Sequence, residues 1–287
     1  MQQIVSDHYE IYHDRRSVIV YSTDRLTFES KGWQIQLKSD VRNAVEQLST
    51  YKDEGIIAVY GVDNDNYFID TENALFYNMG TAAFREIAHY KIAYDTLSPE
   101  ESSLLFAQAG LKKYHHYYSY QVSGFSLCKT SPVLSWEKME LFSLRGEHKP
   151  FDYWKLLREH IDEVVVHQDK AMKGQFGIEL HIYEPNVKTI NLANPMKALL
   201  DGIICAFHKM PMEVDEELIA IVSHRLNISD QTLLYNSKAV LGEEVFVKPY
   251  RNNVIWNPQD DRCSTVSISI EYGSSKRCIS GKIYEVL

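Results

Sequence analysis

Two segments of this chain carry the same phrase in the same frame: IDTENALFYNMG, residues 69–80, and INLANPMKALLDG, residues 190–202. In each, an Asx residue follows an apolar, strand-like run, and an Asn comes three places later. The offset is a constant 121 residues, setting Asp70 over Asn191 and Asn73 over Asn194. The same frame places Ile57 on Ile178, Val59 on Leu180, Glu72 on Ala193, and Asp95 on Glu216 beside Asp215. Asx residues favour helix N-termini for capping alone, so two independent N-caps are one reading. The other is a duplicated unit, because the order helix, strand, loop, helix also matches on both sides.

The segments around the phrase support a chain that alternates helices and strands. SVIVYS (17–22) and WQIQL (33–37) read as short strands, by β-branched content and by alternation. Val41, Ala44, Val45 and Leu48 recur at helical spacing, and Gly55 ends that segment before the strand IIAVYGV. Leu75, Ala82, Phe84 and Ile87 continue a helical period across Gly80, and SPEESSLLFAQAG has a capping Ser, an early Pro, first-turn acids and a closing Gly. In the second half a helix begins at Asp152, with Trp154, Leu157, Ile161, Val164 and Val165 as its apolar stripe. The strand IELHIY follows, then a helix through Met196, Leu199, Leu200 and Ile203, then LIAIVSHRL (218–226) read as a strand. EEVFVKPYR, VSISIEYG and GKIYEVL read as strands extending the second sheet.

These elements predict an α+β chain of two similar halves, 1–145 and 146–287, each a small mixed sheet with packed helices and together a pseudo-dimer. A length of 287 residues suits two such cores. Net charge of −9 excludes a broad nucleic-acid-coating surface while allowing a local basic groove. The N-terminus lacks an apolar leader and the longest apolar run, KALLDGIICAFH, is interrupted by Asp201, so a soluble, cytoplasmic protein without a membrane partner is expected. Cys128, Cys205, Cys263 and Cys278 lie far apart, without zinc or thioredoxin spacing, which fits reduced thiols.

A strand that ends in an Asp-x-Glu pair ahead of a helix projects two carboxylates from a sheet edge. With a third acid from a neighbouring strand they can hold Mg²⁺ through hard oxygen ligands and serve in-line phosphodiester hydrolysis. Asp70, Glu72 and Asp95 are the candidate catalytic and metal-ligating residues.

The stretch NLANPMKALLDGI, preceded by IELHIYEP and followed by DEELIAIVSHRL, is similar to the core of RusA-like Holliday junction resolvases. Their pattern is a strand, D-x-D-N-x-x-K with a further Asp on the helix, and an acid before the next strand. Asn194, Lys197 and Asp201 match residue by residue, with Asp215 near the last acid. The resemblance implies a metal-dependent endonuclease acting on branched nucleic acid, with Mg²⁺ as cofactor and Lys197 as a catalytic cation. Both copies depart from the pattern. Asn191 and Ala193 replace the leading acids of the second half, while the first keeps Asp70, Glu72 and Asn73 but has Phe76 in place of the Lys. Losing that cation costs a few kcal/mol of transition-state stabilisation, which points to a degenerate, weak nuclease.

KKYHHYY (112–118) mixes cations with rings, making Lys112, Lys113, Tyr114 and His115 candidates for binding single-stranded nucleic acid; an amphipathic strand is the simpler reading. Nineteen tyrosines suggest the rival function, a non-enzymatic module whose tyrosine-rich surface binds a protein partner. DNDNYFIDTEN carries Asp63, Asp65 and Asp70 but lacks the Gly and final Glu of an EF-hand, and so reads as a solvated loop. Asp260 and Asp261 fall in NPQDDR, where turn formation is a sufficient explanation.

Overall fold

The computed structural model describes the whole chain except residues 52–53, 64–69, 125–131, 169–171, 173, 209–215, 230, 235–237, 239, 242–245, 252 and 287. The loop carrying Asp65, the acid Asp215 and Cys128 therefore lie outside the described residues. The strands are β1 (Gln2–Val5), β2 (Tyr9–His13), β3 (Ser17–Ser22), β4 (Gly55–Val62), β5 (Lys91–Thr96), β6 (His116–Ser123), β7 (Pro132–Glu140), β8 (Val165–Val166), β9 (Phe176–Glu184), β10 (Val247–Tyr250), β11 (Asn253–Trp256), β12 (Cys263–Tyr272) and β13 (Cys278–Glu285). The helices are α1 (Trp33–Val45), α2 (Pro99–Ala109), α3 (Pro150–Glu159), α4 (Ala193–Ala206) and α5 (Glu216–Leu226).

Eleven strands form one mixed sheet in the order β1-β2-β3-β6-β4-β5-β12-β9-β13-β7-β8, and β10 and β11 form a separate hairpin. The expected pair of small sheets is thus a single continuous one, because β5 and β12 pair antiparallel and each covers what would otherwise be an open edge of backbone donors and acceptors. From β3 to β7 the neighbours run antiparallel, antiparallel, parallel, antiparallel, parallel, antiparallel, antiparallel. That succession is the same from either end. β9 begins 121 residues after β4, at Phe176 against Gly55. Strand pairing changes side between β6 and β7, ahead of the 145/146 boundary, since β7 pairs with β13 and β8.

Alternation sets the two faces of the sheet. Ile56, Ala58 and Tyr60 of β4 and Phe176, Ile178, Leu180 and Ile182 of β9 are all buried in the main core with α1, α3 and α4. On the opposite face a smaller cluster joins Phe106 of α2 to Tyr114 and Tyr117, with Tyr21 and Val59 against it. Nine of the described tyrosines are buried, and Tyr60, Tyr94, Tyr118, Tyr120 and Tyr153 are at most 2% exposed.

Four local expectations are corrected. Trp33–Leu37 is the start of α1 and not a strand: the period through Leu37, Val41, Ala44 and Val45 continues backwards, and Ile35, which alternation would have buried, is 60% exposed. Residues 218–226 belong to helix α5, with Ile219, Val222 and Ser223 buried at helical spacing; a short apolar run does not distinguish the two periods. The expected helix around Leu75–Ile87 is a π-type turn, Asn73–Tyr77, and a 3₁₀ turn, Thr81–Phe84, separated by Gly80 at φ 96°. The helix from Asp152 likewise stops at Glu159.

α3 and α4 touch closely at Gly202. A Cβ there would lie 2.4 Å from the Pro150 carbonyl oxygen and 2.7 Å from Tyr153 Cβ. Gly202→Ala is expected to destabilise the protein by about 1–3 kcal/mol in urea denaturation, despite alanine's better helix propensity, because backbone must shift to admit the methyl group.

Candidate active site

The two copies of the phrase meet. Asp70 opens the turn after β4, where Thr71 Oγ1 bonds Thr96 Oγ1 of β5 at 2.7 Å and the Tyr120 hydroxyl donates to the Leu75 carbonyl at 2.8 Å, both holding the turn on the sheet. The second copy is tied to it: Asn191 Nδ2 donates to the Thr81 carbonyl and the Leu192 amide to the Ala88 carbonyl, each at 2.9 Å. In both copies the Asx and the Asn three places on are bonded to each other. Asn73 Nδ2 donates to Asp70 Oδ2, and Asn191 Nδ2 to Asn194 Oδ1.

α4 then presents Lys197 and Asp201, one turn apart on the same face, toward the first copy. Lys197 Nζ lies 3.1 Å from Asp260, 3.3 Å from Asp70, 3.5 Å from Asp201 and 3.7 Å from Glu72. Four carboxylates thus surround one ammonium group. Glu72 is the deepest, its side chain 6% exposed, and its Oε2 has no hydrogen-bond donor.

Charge and burial together explain the protonation behaviour. Burial first, then repulsion from neighbouring acids, raises Asp70 to about 6, Asp201 to about 7 and Glu72 to about 8, with Lys197 opposing each rise. Burial opposes the Lys197 ammonium, but attraction to Asp201, Asp70, Glu72 and Asp260 outweighs it and holds the lysine above its usual range. One cation cannot balance four clustered carboxylates, so near neutral pH Glu72 and, in part, Asp201 retain protons.

Asp95 is not brought into this group. On β5 it alternates with Tyr94 and Thr96, and Thr96 faces the Thr71 turn, which sends Asp95 to the other face of the sheet. There burial, followed by repulsion from Glu101, raises it to about 6. The 121-residue frame also ends before it, since Asp95 lies in a strand and Glu216 opens α5. Among the described residues, no group of three or more His, Cys, Asp or Glu is spaced to hold a metal ion, because Lys197 occupies the centre of the acids.

Asp260 is the member that sequence reasoning passed over. It sits on the one-turn 3₁₀ helix Asp260–Arg262, and Arg262 fixes that turn by donating to the carbonyls of Met172, Gly174 and Leu241. A turn-forming acid carries no periodicity, so only the Asp-Asp-Arg run before a strand hinted at it. Phe76, in the lysine's place in the first copy, is fully buried against Phe84 with centroids 4.9 Å apart and contributes no polar group to the cluster.

The candidate nucleic-acid residues separate. Lys112, Lys113 and His115 are exposed, whereas Tyr114 is fully buried and bonded to Glu10, leaving it no face on which a base could stack. Cys205, Cys263 and Cys278 are free and buried. No helix among the described residues is long and apolar enough to cross a membrane. No protein-family model, no curated protein and no solved structure matches this chain.

Proposed function

We propose that this chain is a resolvase-like protein of nucleic-acid metabolism whose two halves, related by an internal duplication, share one composite site. The observation that carries the reading is the meeting of Asp70 and Glu72 from the first copy with Lys197 and Asp201 from the second. Each copy lacks what the other retains. The matching succession of strand pairings on the two sides of the β5–β12 junction supports the duplication.

All four acids offer oxygen, the donor type a hard divalent cation takes, and Glu72 Oε2 lies among them without a hydrogen bond, 3.7 Å from the Lys197 ammonium. Asp70, Glu72, Asp201 and Asp260 would hold Mg²⁺ only with Lys197 displaced from their centre, since in the present arrangement no three of the described acids are spaced for an ion. A Mg²⁺ ion bound there would supply Lewis-acid polarisation of a phosphodiester and activation of water. Among the described residues of the cluster, Lys197 is then the cation available to a phosphate oxygen. Among the described tyrosines only Tyr51, Tyr77 and Tyr250 are exposed, which gives the rival protein-binding module little support.

Calorimetric titration with Mg²⁺ tests the reading. Binding is expected to tighten from pH 6 to pH 8.5, since the acids must lose protons to ligate. Asp70→Asn and Asp201→Asn are expected to weaken it alike, each by roughly tenfold or more. Retention of full affinity in Asp201→Asn, with loss in Asp70→Asn, would confine the site to one half and end the composite reading.

A further inference from the structure

We infer that the cleft beside the composite site binds an unpaired nucleic-acid strand, with its phosphodiester backbone on Arg145, Lys149 and Lys188 and a base against Tyr77. The inference rests on the reading above for its biological sense, although the binding itself needs no metal. The cleft has a volume of about 910 Å³ and is walled by residues 144–149 on one side and 188–191 on the other. Arg145 ties the walls together through a hydrogen bond from its guanidinium to the Lys188 carbonyl. Arg145, Lys149 and Lys188 line it against the single carboxylate of Glu147, a local excess of cations in a chain of net charge −9.

A second feature points to a polyanion with planar groups. Tyr77, at the edge of the cleft, is 42% exposed and stacks on Phe28, itself 57% exposed, with centroids 5.0 Å apart and planes 18° from parallel. Lys38 Nζ stands 5.5 Å from the Phe28 ring. In a fold that buries nine of its described tyrosines, an exposed stacked pair beside a row of cations is the arrangement that binds bases and backbone together. His148 Nε2, also in this wall, is buried without a hydrogen-bond partner.

The third feature is position. Asn191, Asn194 and Pro195 form part of the cleft lining, and Asn194 precedes Lys197 by one turn of α4. A strand lying on the cations therefore runs toward the acids around Lys197. Duplex DNA keeps its bases paired and offers Tyr77 no free ring face, so the cleft favours a single strand or the open arm of a branch.

Fluorescence anisotropy with a labelled oligothymidine, and with a duplex of the same length, tests this in EDTA, where failure of the metal site has no effect. Single-strand binding is expected to be tighter than duplex binding and to fall on the order of 20-fold between 50 and 200 mM salt, the response to about three phosphate contacts. Lys149→Glu combined with Lys188→Glu, both exposed side chains, should weaken it at least tenfold, and Tyr77→Ala by roughly fivefold or more. Arg15→Glu with Lys282→Glu, exposed and outside the cleft lining, should leave affinity unchanged. Absence of binding, or unchanged affinity in the cleft double variant with its thermal transition intact, overturns the proposal. Duplex binding as tight as single-strand binding, with Tyr77→Ala silent, overturns the assignment to an unpaired strand.

Discussion

Lys197→Met is expected to cost about 3–5 kcal/mol of stability at pH 8 and much less at pH 5, measured by urea denaturation at both values. Its ammonium group is the only cation within ion-pair distance of Asp70, Glu72, Asp201 and Asp260 in the described structure. Methionine matches much of the lysine's length, so packing is largely retained and the loss is mainly charge. The direction with pH follows from the acids. Their folded values of about 6, 7 and 8 lie above those of the unfolded chain, so they favour the folded state below about pH 4 and that contribution is lost as pH rises through 6 to 8. Removing the lysine pushes these values higher still. Glu72→Gln, which removes the most strongly raised acid, should do the reverse, stabilising at pH 8 and flattening the profile. A penalty for Lys197→Met that is equal at pH 5 and pH 8 would mean that the lysine acts by packing, and the charge argument would fail.

Trp136→Ala is expected to be as damaging, at about 3–5 kcal/mol, with little dependence on pH. Trp136 is 1% exposed on β7, and its indole lies 5.7 Å from the Phe207 ring at the end of α4, so it supports the helix that carries Lys197. Across the strands it pairs with Gly281, where a Cβ would fall 2.0 Å from the indole. The glycine is there because the ring occupies the space a side chain would need. Gly281→Ala should therefore cost about 1–3 kcal/mol in the wild type and far less alongside Trp136→Ala, a non-additivity that a double-mutant cycle reads directly. Trp136 Nε1 has no hydrogen-bond partner, so Trp136→Phe should be much milder than the alanine variant. Additive costs for Trp136→Ala and Gly281→Ala would show that the two residues do not share that space.

Much of the architecture follows from local pattern. The capping Ser98, Pro99, the acids of the first turn and Gly110 bound α2 as read, because each acts within a few residues. β4, β9 and α4 also follow from their own periods. Where the period is short or interrupted, tertiary packing decides: residues 33–37 and 218–226 join helices, and Gly80 divides what periodicity alone would run together.

The site divides along the same line. One phrase occurs twice in the chain, with Asp70 and Glu72 in the first copy and Lys197 and Asp201 in the second. That these four side chains meet, that Asp260 joins them and that Asp95 does not emerges only from the packing of the folded chain. Their meeting depends on two things no local pattern encodes. One is the β5–β12 pairing, which joins residues about 170 positions apart and brings the two copies to a common junction. The other is the alternation of side chains along β5, which turns Thr96 toward the cluster and Asp95 away from it.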